Sequence, residues 1–163
     1  MSSTVALEIP DLWPNYVTLT DVVSPAAILR YQAGQLRAKT RNLLEAEVEI
    51  VPDNENVKIE FYVIAPALDR YRVLLFSVMH RQDLVYPATL TAECFYDQDR
   101  YGDDPQAADQ KEFTDLLSTV LLSNRTRSVI QSLIARSNDV ETSPMPSKQG
   151  AATAEFPAKG GAG

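Results

Sequence analysis

Between residues 45 and 50 the chain alternates strictly, with Ala46, Val48 and Ile50 apolar and Glu45, Glu47 and Glu49 charged. A period of two predicts a strand with one buried face. Pro52 to Asn56 supplies turn chemistry. Val57, Ile59, Phe61 and Val63 then alternate with Lys58, Glu60 and Tyr62 in a second strand. A turn at Pro66 to Asp69 leads to a third, Arg70 to Met79, apolar on both parities and so expected at the sheet centre. Arg81 to Asp83 precedes a fourth, Val85 to Phe95. Before these strands, Ser24-Pro25 pairs an N-cap residue with proline at the first helical position. The helix it starts is expected to run to about Leu44. Ile28, Leu29, Leu36 and Leu43 share its apolar face, and Arg30, Arg37 and Arg41 share a polar one.

Pairing Val63 with Tyr71 sets Phe61 against Val73 and Ile59 against Leu75. Pairing His80 with Val85 sets Leu75 against Leu90, Val73 against Ala92 and Tyr71 against Cys94. In this register Val57, Ile59, Phe61, Val63, Tyr71, Val73, Leu75, Leu90, Ala92 and Cys94 line one face of an antiparallel meander. Arg72 then stands opposite Glu93. After the sheet, Asp104-Pro105 reads as a second helix start. Phe113, Leu116, Leu117, Val120 and Leu121 keep helical spacing, Ser123-Asn124 interrupts, and a last helix carries Val129, Ile130, Leu133 and Ile134. The expected fold is α+β: an N-terminal helix, a four-stranded antiparallel meander and two C-terminal helices. Residues 1–24 are read as an extended segment, 25–136 as one domain, and 137–163 as a flexible tail. The tail holds three of ten prolines and four of six glycines, too little apolar content to offset its ordering entropy.

The same order of elements resembles the ubiquitin-conjugating-enzyme fold and its non-catalytic relatives, the RWD domains. Ile64-Ala65-Pro66 is similar to the family's Gly-Pro turn, Tyr71 to the tyrosine after it, and Tyr86-Pro87 to its Tyr-Pro element. The catalytic elements of that family are missing. No His-Pro-Asn triplet and no cysteine follow the fourth strand, and Cys94 lies before the loop, on the apolar side of its strand. The resemblance therefore implies a catalytically empty variant, whose relatives are protein-binding modules.

Composition narrows the partner class. Acidic residues outnumber basic ones 22 to 15, for a net charge of −7, which argues against nucleic acid as the main partner and against a membrane surface. One cysteine permits no internal disulfide and fits a reducing cytoplasm, the expected location. With one histidine, His80, most metal and acid–base designs fall away, and Ser77 and His80 have opposite strand parity. Neither a metal nor a cofactor is implied. Residues 97–108 only partly match a calcium loop. Between Glu93 and Asp115 the chain has eight acidic and two basic residues, a net of −6, suited to helix capping or to a basic partner.

The expected function is that of a non-enzymatic protein-interaction module, with another protein or a second copy as partner. An acidic inhibitor or immunity-type protein, and an enzyme with a dispersed site, are the alternatives. The expected contact is the second sheet face, with Tyr62, Leu74, Phe76 and Val78 as an apolar island and Arg72 and Glu93 at its rim.

Overall fold

The computed structural model describes residues 8–17, 19–96 and 104–142. The fold is α+β, with one helix, an antiparallel sheet and two further helices. Helix α1 spans Pro25–Lys39, strands β1 to β5 span Glu45–Asp53, Asn56–Ala65, Tyr71–Arg81, Ala88–Thr91 and Gln106–Ala107, and helices α2 and α3 span Gln110–Leu121 and Asn124–Thr142. Neighbouring strands follow chain order throughout, so the sheet is a meander. It has five strands rather than four, because the two residues of β5 pair with Ala88 and Thr89 at the edge.

The predicted caps hold at the start of α1, where the Ala27 amide donates to Ser24 Oγ at 3.2 Å. The helix stops at Lys39, short of Leu44. Arg41 and Asn42 take positive φ, 52° and 66°, and the Asn42 amide donates to the Arg37 carbonyl at 2.9 Å. Asparagine tolerates this left-handed closure better than most residues. Thr40 Oγ1 then donates to the Leu36 carbonyl at 2.9 Å and accepts from the Leu44 amide at 3.1 Å, turning the chain into β1. Helix α2 begins at Gln110 and not at Asp104-Pro105. Asp109 accepts from the Glu112 amide at 2.9 Å, and Glu112 accepts from the Ala108 amide at 2.7 Å, a reciprocal arrangement close to a capping box. Helix α3 continues past Arg136 to Thr142, and Ser137 is fully buried. Residues 143–163, the rest of the expected tail, lie outside the described residues, as does most of the acidic loop.

The strand register departs from the sequence reading. β1 pairs as its alternation requires, Val48 opposite Phe61 and Ile50 opposite Ile59. Between β2 and β3, however, Val63 faces Val73, Tyr62 faces Leu74, and the next pair is Phe61 with Phe76. Leu75 is the extra residue of a β-bulge, and the bulge reverses the parity of β3. Val73 points inward before it, and Phe76 and Val78 point inward after it. Two apolar parities in one strand thus arise from a bulge in a one-sided sheet, not from a sheet covered on both faces. β4 is short and pairs Val78 with Leu90 and Ser77 with Thr91. A 3-10 turn at Glu93–Phe95 replaces the rest of the expected fourth strand.

All three helices pack on the inward face. Leu29 of α1, Phe113, Leu117 and Val120 of α2, and Val129 and Leu133 of α3 share one core with Ile59, Phe61, Val63, Phe76, Val78 and Leu90. The Phe61 and Phe76 rings stack at its centre, 4.9 Å apart and 9° from parallel. The bulged register makes a clear prediction in urea unfolding. Phe76→Ser should cost about 3–5 kcal/mol, as buried phenylalanines do, while Leu74→Ser, two residues away and 46% exposed, should stay within about 0.5 kcal/mol. Equal losses would contradict the register.

Candidate functional site

Of the six residues expected to form a contact on the outer sheet face, three meet there. Tyr62 and Leu74 are cross-strand partners, and the Arg72 guanidinium lies 3.7 Å from the Tyr62 ring centroid, a cation–π contact. Phe76 and Val78 are not on this face. They are 2% and 1% exposed, in the core, because the bulge turns them inward. Glu93 is also elsewhere. It sits in the 3-10 turn beyond β4 and pairs with Arg125 of α3 at 2.7 Å, so the expected Arg72–Glu93 pair does not form. Arg72 pairs with Glu49 of β1 at 2.9 Å instead.

The face that remains is a lattice of matched charges. Arg70 pairs with Glu45 at 3.6 Å and Lys58 with Glu60 at 3.7 Å. The Tyr62 hydroxyl donates to Glu60, and this bond holds its phenol above the ordinary tyrosine range against the opposing pull of Arg72. The bond to Glu49, and then the contact with Tyr62, raise the Arg72 guanidinium in the same sense, keeping it charged. Leu74 is the one large side chain among these residues with an open apolar surface.

A more apolar surface lies on the helical side and was not anticipated from the sequence. Its origin is the turn between α2 and α3. The Thr126 amide donates to Ser123 Oγ at 3.2 Å, capping α3. The hydroxyls of Ser123 and Thr126 both donate to the Val120 carbonyl at 2.7 Å, and the Thr126 bond is buried. This knot ends α2 abruptly and leaves Leu122 pointing out, 74% exposed. Beside it opens a cavity of about 360 Å³, floored by Phe61, Val63 and Leu75 of the sheet and walled by Leu36 of α1, Leu121 of α2 and Ile130 of α3. Two shallower depressions meet it at Leu121 and Leu122. One runs along the seam between α1 and α2, past Ile28, Gln32 and Leu117, and the other runs over α3 past Arg127. The result is a continuous apolar groove. Pockets of roughly 300–1,000 Å³ with apolar walls and a few polar groups are the usual shape of binding sites. In the sequence, the doubled Leu121-Leu122 ahead of Ser123 was the available signal: helical spacing has room inward for only one of them.

A second apolar element is the N-terminal segment. Ile9, Leu12, Trp13, Tyr16, Val17 and Val22 are all exposed, Trp13 at 72%. The segment is held at Val23, where it joins the domain. The Val23 amide donates to Gln110 Oε1 at 3.1 Å, and the Tyr86 hydroxyl donates to the Val23 carbonyl at 2.8 Å. The Tyr86 ring packs at 6.3 Å from Phe113. Burial, and then the charge of Asp109, raise its phenol above the ordinary range, so it stays a donor near neutral pH.

Several other chemistry-bearing residues make structural contacts. His80 Nδ1 contacts the Arg81 carbonyl at 2.6 Å, Asp83 is held by Arg81, and Ser77 faces away from His80. Thr91 and Tyr96 both donate to Asp104, and Asp109 caps α2. Among the described residues no three His, Cys, Asp or Glu side chains gather as a metal-holding group, and no helix is long and apolar enough to cross a membrane. No protein family, curated protein or solved structure matches the chain.

The clasp at Val23 carries its own prediction. Tyr86→Phe keeps the ring on Phe113 but removes the donor, and should cost about 0.5–1.5 kcal/mol. Limited proteolysis should then cut after residues 16–23 faster than in the native chain. Unchanged cleavage would show that the hydroxyl does not hold the segment.

Proposed function

We propose that this chain is a non-enzymatic protein-interaction module that takes an apolar polypeptide segment into the groove between α1 and the α2–α3 turn. The observation that carries the reading is Leu122, held out at the rim of a cavity whose floor is the aromatic core. Exposed leucine beside a deep apolar cleft, ringed by Gln32, Gln35 and Lys39, has the anatomy of an interface core with a polar rim. Two uncharged glutamines on the α1 wall suit a backbone, whose amides and carbonyls need partners when buried. The order of helix, antiparallel meander and two helices supports placing the chain with catalytically empty conjugating-enzyme-like or RWD-like domains. The Tyr62, Arg72 and Leu74 patch is a second, smaller contact on this reading, favoured by the exposure of Leu74.

A photo-crosslinking amino acid at position 32, in cells that make the protein, tests the reading. Adducts with polypeptide are expected, and Leu122→Glu should reduce them about tenfold or more, as loss of a central apolar anchor does. Adducts confined to lipid or small molecules, or none, would contradict it. A variant carrying Leu74→Ser that loses the adducts while Leu122→Glu keeps them would move the site to the sheet.

A further inference from the structure

We infer that the groove receives the N-terminal segment of a second copy of this chain, so that two copies exchange arms reciprocally. The inference rests on the groove being a polypeptide-binding site, and names its occupant. Three observations carry it.

The first is matching chemistry on one chain. The arm holds Ile9, Leu12, Trp13, Tyr16 and Val17 in solvent, and the groove is an apolar cleft with no side chain of its own filling it. The second is charge. Residues 8–23 contain Glu8, Asp11 and Asp21 and no lysine or arginine, whereas the groove ends at Lys39 on one side and Arg127 on the other. Neither cation forms an ion pair among the described residues. An acidic arm is drawn to that rim even though the protein as a whole is acidic.

The third is reach. Along α1 the seam from Ile28 to Lys39 is about 17 Å at roughly 1.5 Å per residue. Extended at roughly 3.3 Å per residue, the arm from Val23 out to Ile9 spans on the order of 45–50 Å. It therefore overshoots its own seam nearly threefold and can lie across a neighbour's. Within one chain the arm is fixed at Val23 by Tyr86 and Gln110, and none of Ile9, Leu12, Trp13, Tyr16 and Val17 lines the groove. Each copy thus has one unfilled groove and one uncovered arm, and a twofold exchange satisfies both with no open end. Trp13 and Tyr16 alone would bury roughly 150–250 Å² each per arm.

The protein contains one tryptophan, Trp13, so its emission reports the arm and nothing else. Sedimentation and fluorescence on the full chain should show a monomer–dimer equilibrium, with Trp13 emission moving to the blue as dimer forms. Trp13→Asp and Leu122→Glu should each weaken dimerisation about tenfold or more. Mixing the two variants should then restore the blue shift, because one brings the intact arm and the other the intact groove. Three results would overturn the inference: a monomer whose Trp13 stays in water throughout the micromolar range, a monomer whose Trp13 is buried, or a dimer indifferent to both variants. With any of these, position-32 adducts to a different protein would leave the groove a protein-binding site. Absence of polypeptide adducts would remove both proposals.

Discussion

The bulge at Leu75 decides which side of this molecule is inside. β3 carries Arg72, Val73, Leu74, Leu75, Phe76 and Val78 within seven positions. A regular strand that buried Phe76 and Val78 would also bury Arg72 and Leu74, and desolvating an arginine away from its water and its glutamate is costly. The opposite regular register would bury Val73 and Leu75 but strand Phe76 and Val78 in solvent. Placing one extra residue between the Tyr62–Leu74 and Phe61–Phe76 pairs lets Val73, Leu75, Phe76 and Val78 all point inward and leaves Arg72 with Glu49. The disruption forfeits about one ladder hydrogen bond, net ~0.5–1.5 kcal/mol. Burying two further large apolar side chains stabilises by roughly 1.5–3 kcal/mol each, so the bulge wins.

Everything on the helical side follows from that choice. A sheet with one apolar face needs one layer of helices, and three, of 15, 12 and 19 residues, share it. Two are ended by local polar locks: Asn42 and Thr40 stop α1, and Ser123 with Thr126 stops α2. The abrupt ends of α1 and α2 leave a gap beside α3. Its floor is Phe61, one half of the aromatic stack, and its lip is Leu122. The groove is thus the place where the helical layer fails to close over the core. The outer sheet face is built differently. Its charged side chains are largely paired with one another, Arg72 with Glu49, Arg70 with Glu45 and Lys58 with Glu60.

Elements with a single consistent period were legible in the sequence. The β1 and β2 alternation, the Ser24-Pro25 start and the helical spacing from Phe113 to Leu121 all appear where the pattern puts them, and so does the α+β order. What could not be read was any feature set by competition between neighbours. The bulge depends on the cost of burying Arg72, the early end of α1 on Asn42 accepting positive φ, and the delayed start of α2 on Asp109 and Glu112 outcompeting Asp104-Pro105. The candidate contact suffered most. A single inverted half-strand moved Phe76 and Val78 from the presumed surface to the core, and shortening β4 moved Glu93 to Arg125. Arg72 and Leu74 kept their face because they precede the bulge, and Tyr62 because β2 keeps its alternation. The groove was invisible because it is a gap between elements, and only the doubled Leu121-Leu122 hinted at it.

Nuclear Overhauser contacts between assigned side chains on β2 and β3 measure the bulged register most directly. The expected pattern pairs the Val63 methyls with Val73 and the Phe61 ring with the Phe76 ring, with Leu75 unpaired between them. Contacts between Phe61 and Val73, with Phe76 free of the core, would restore a regular strand and contradict the account.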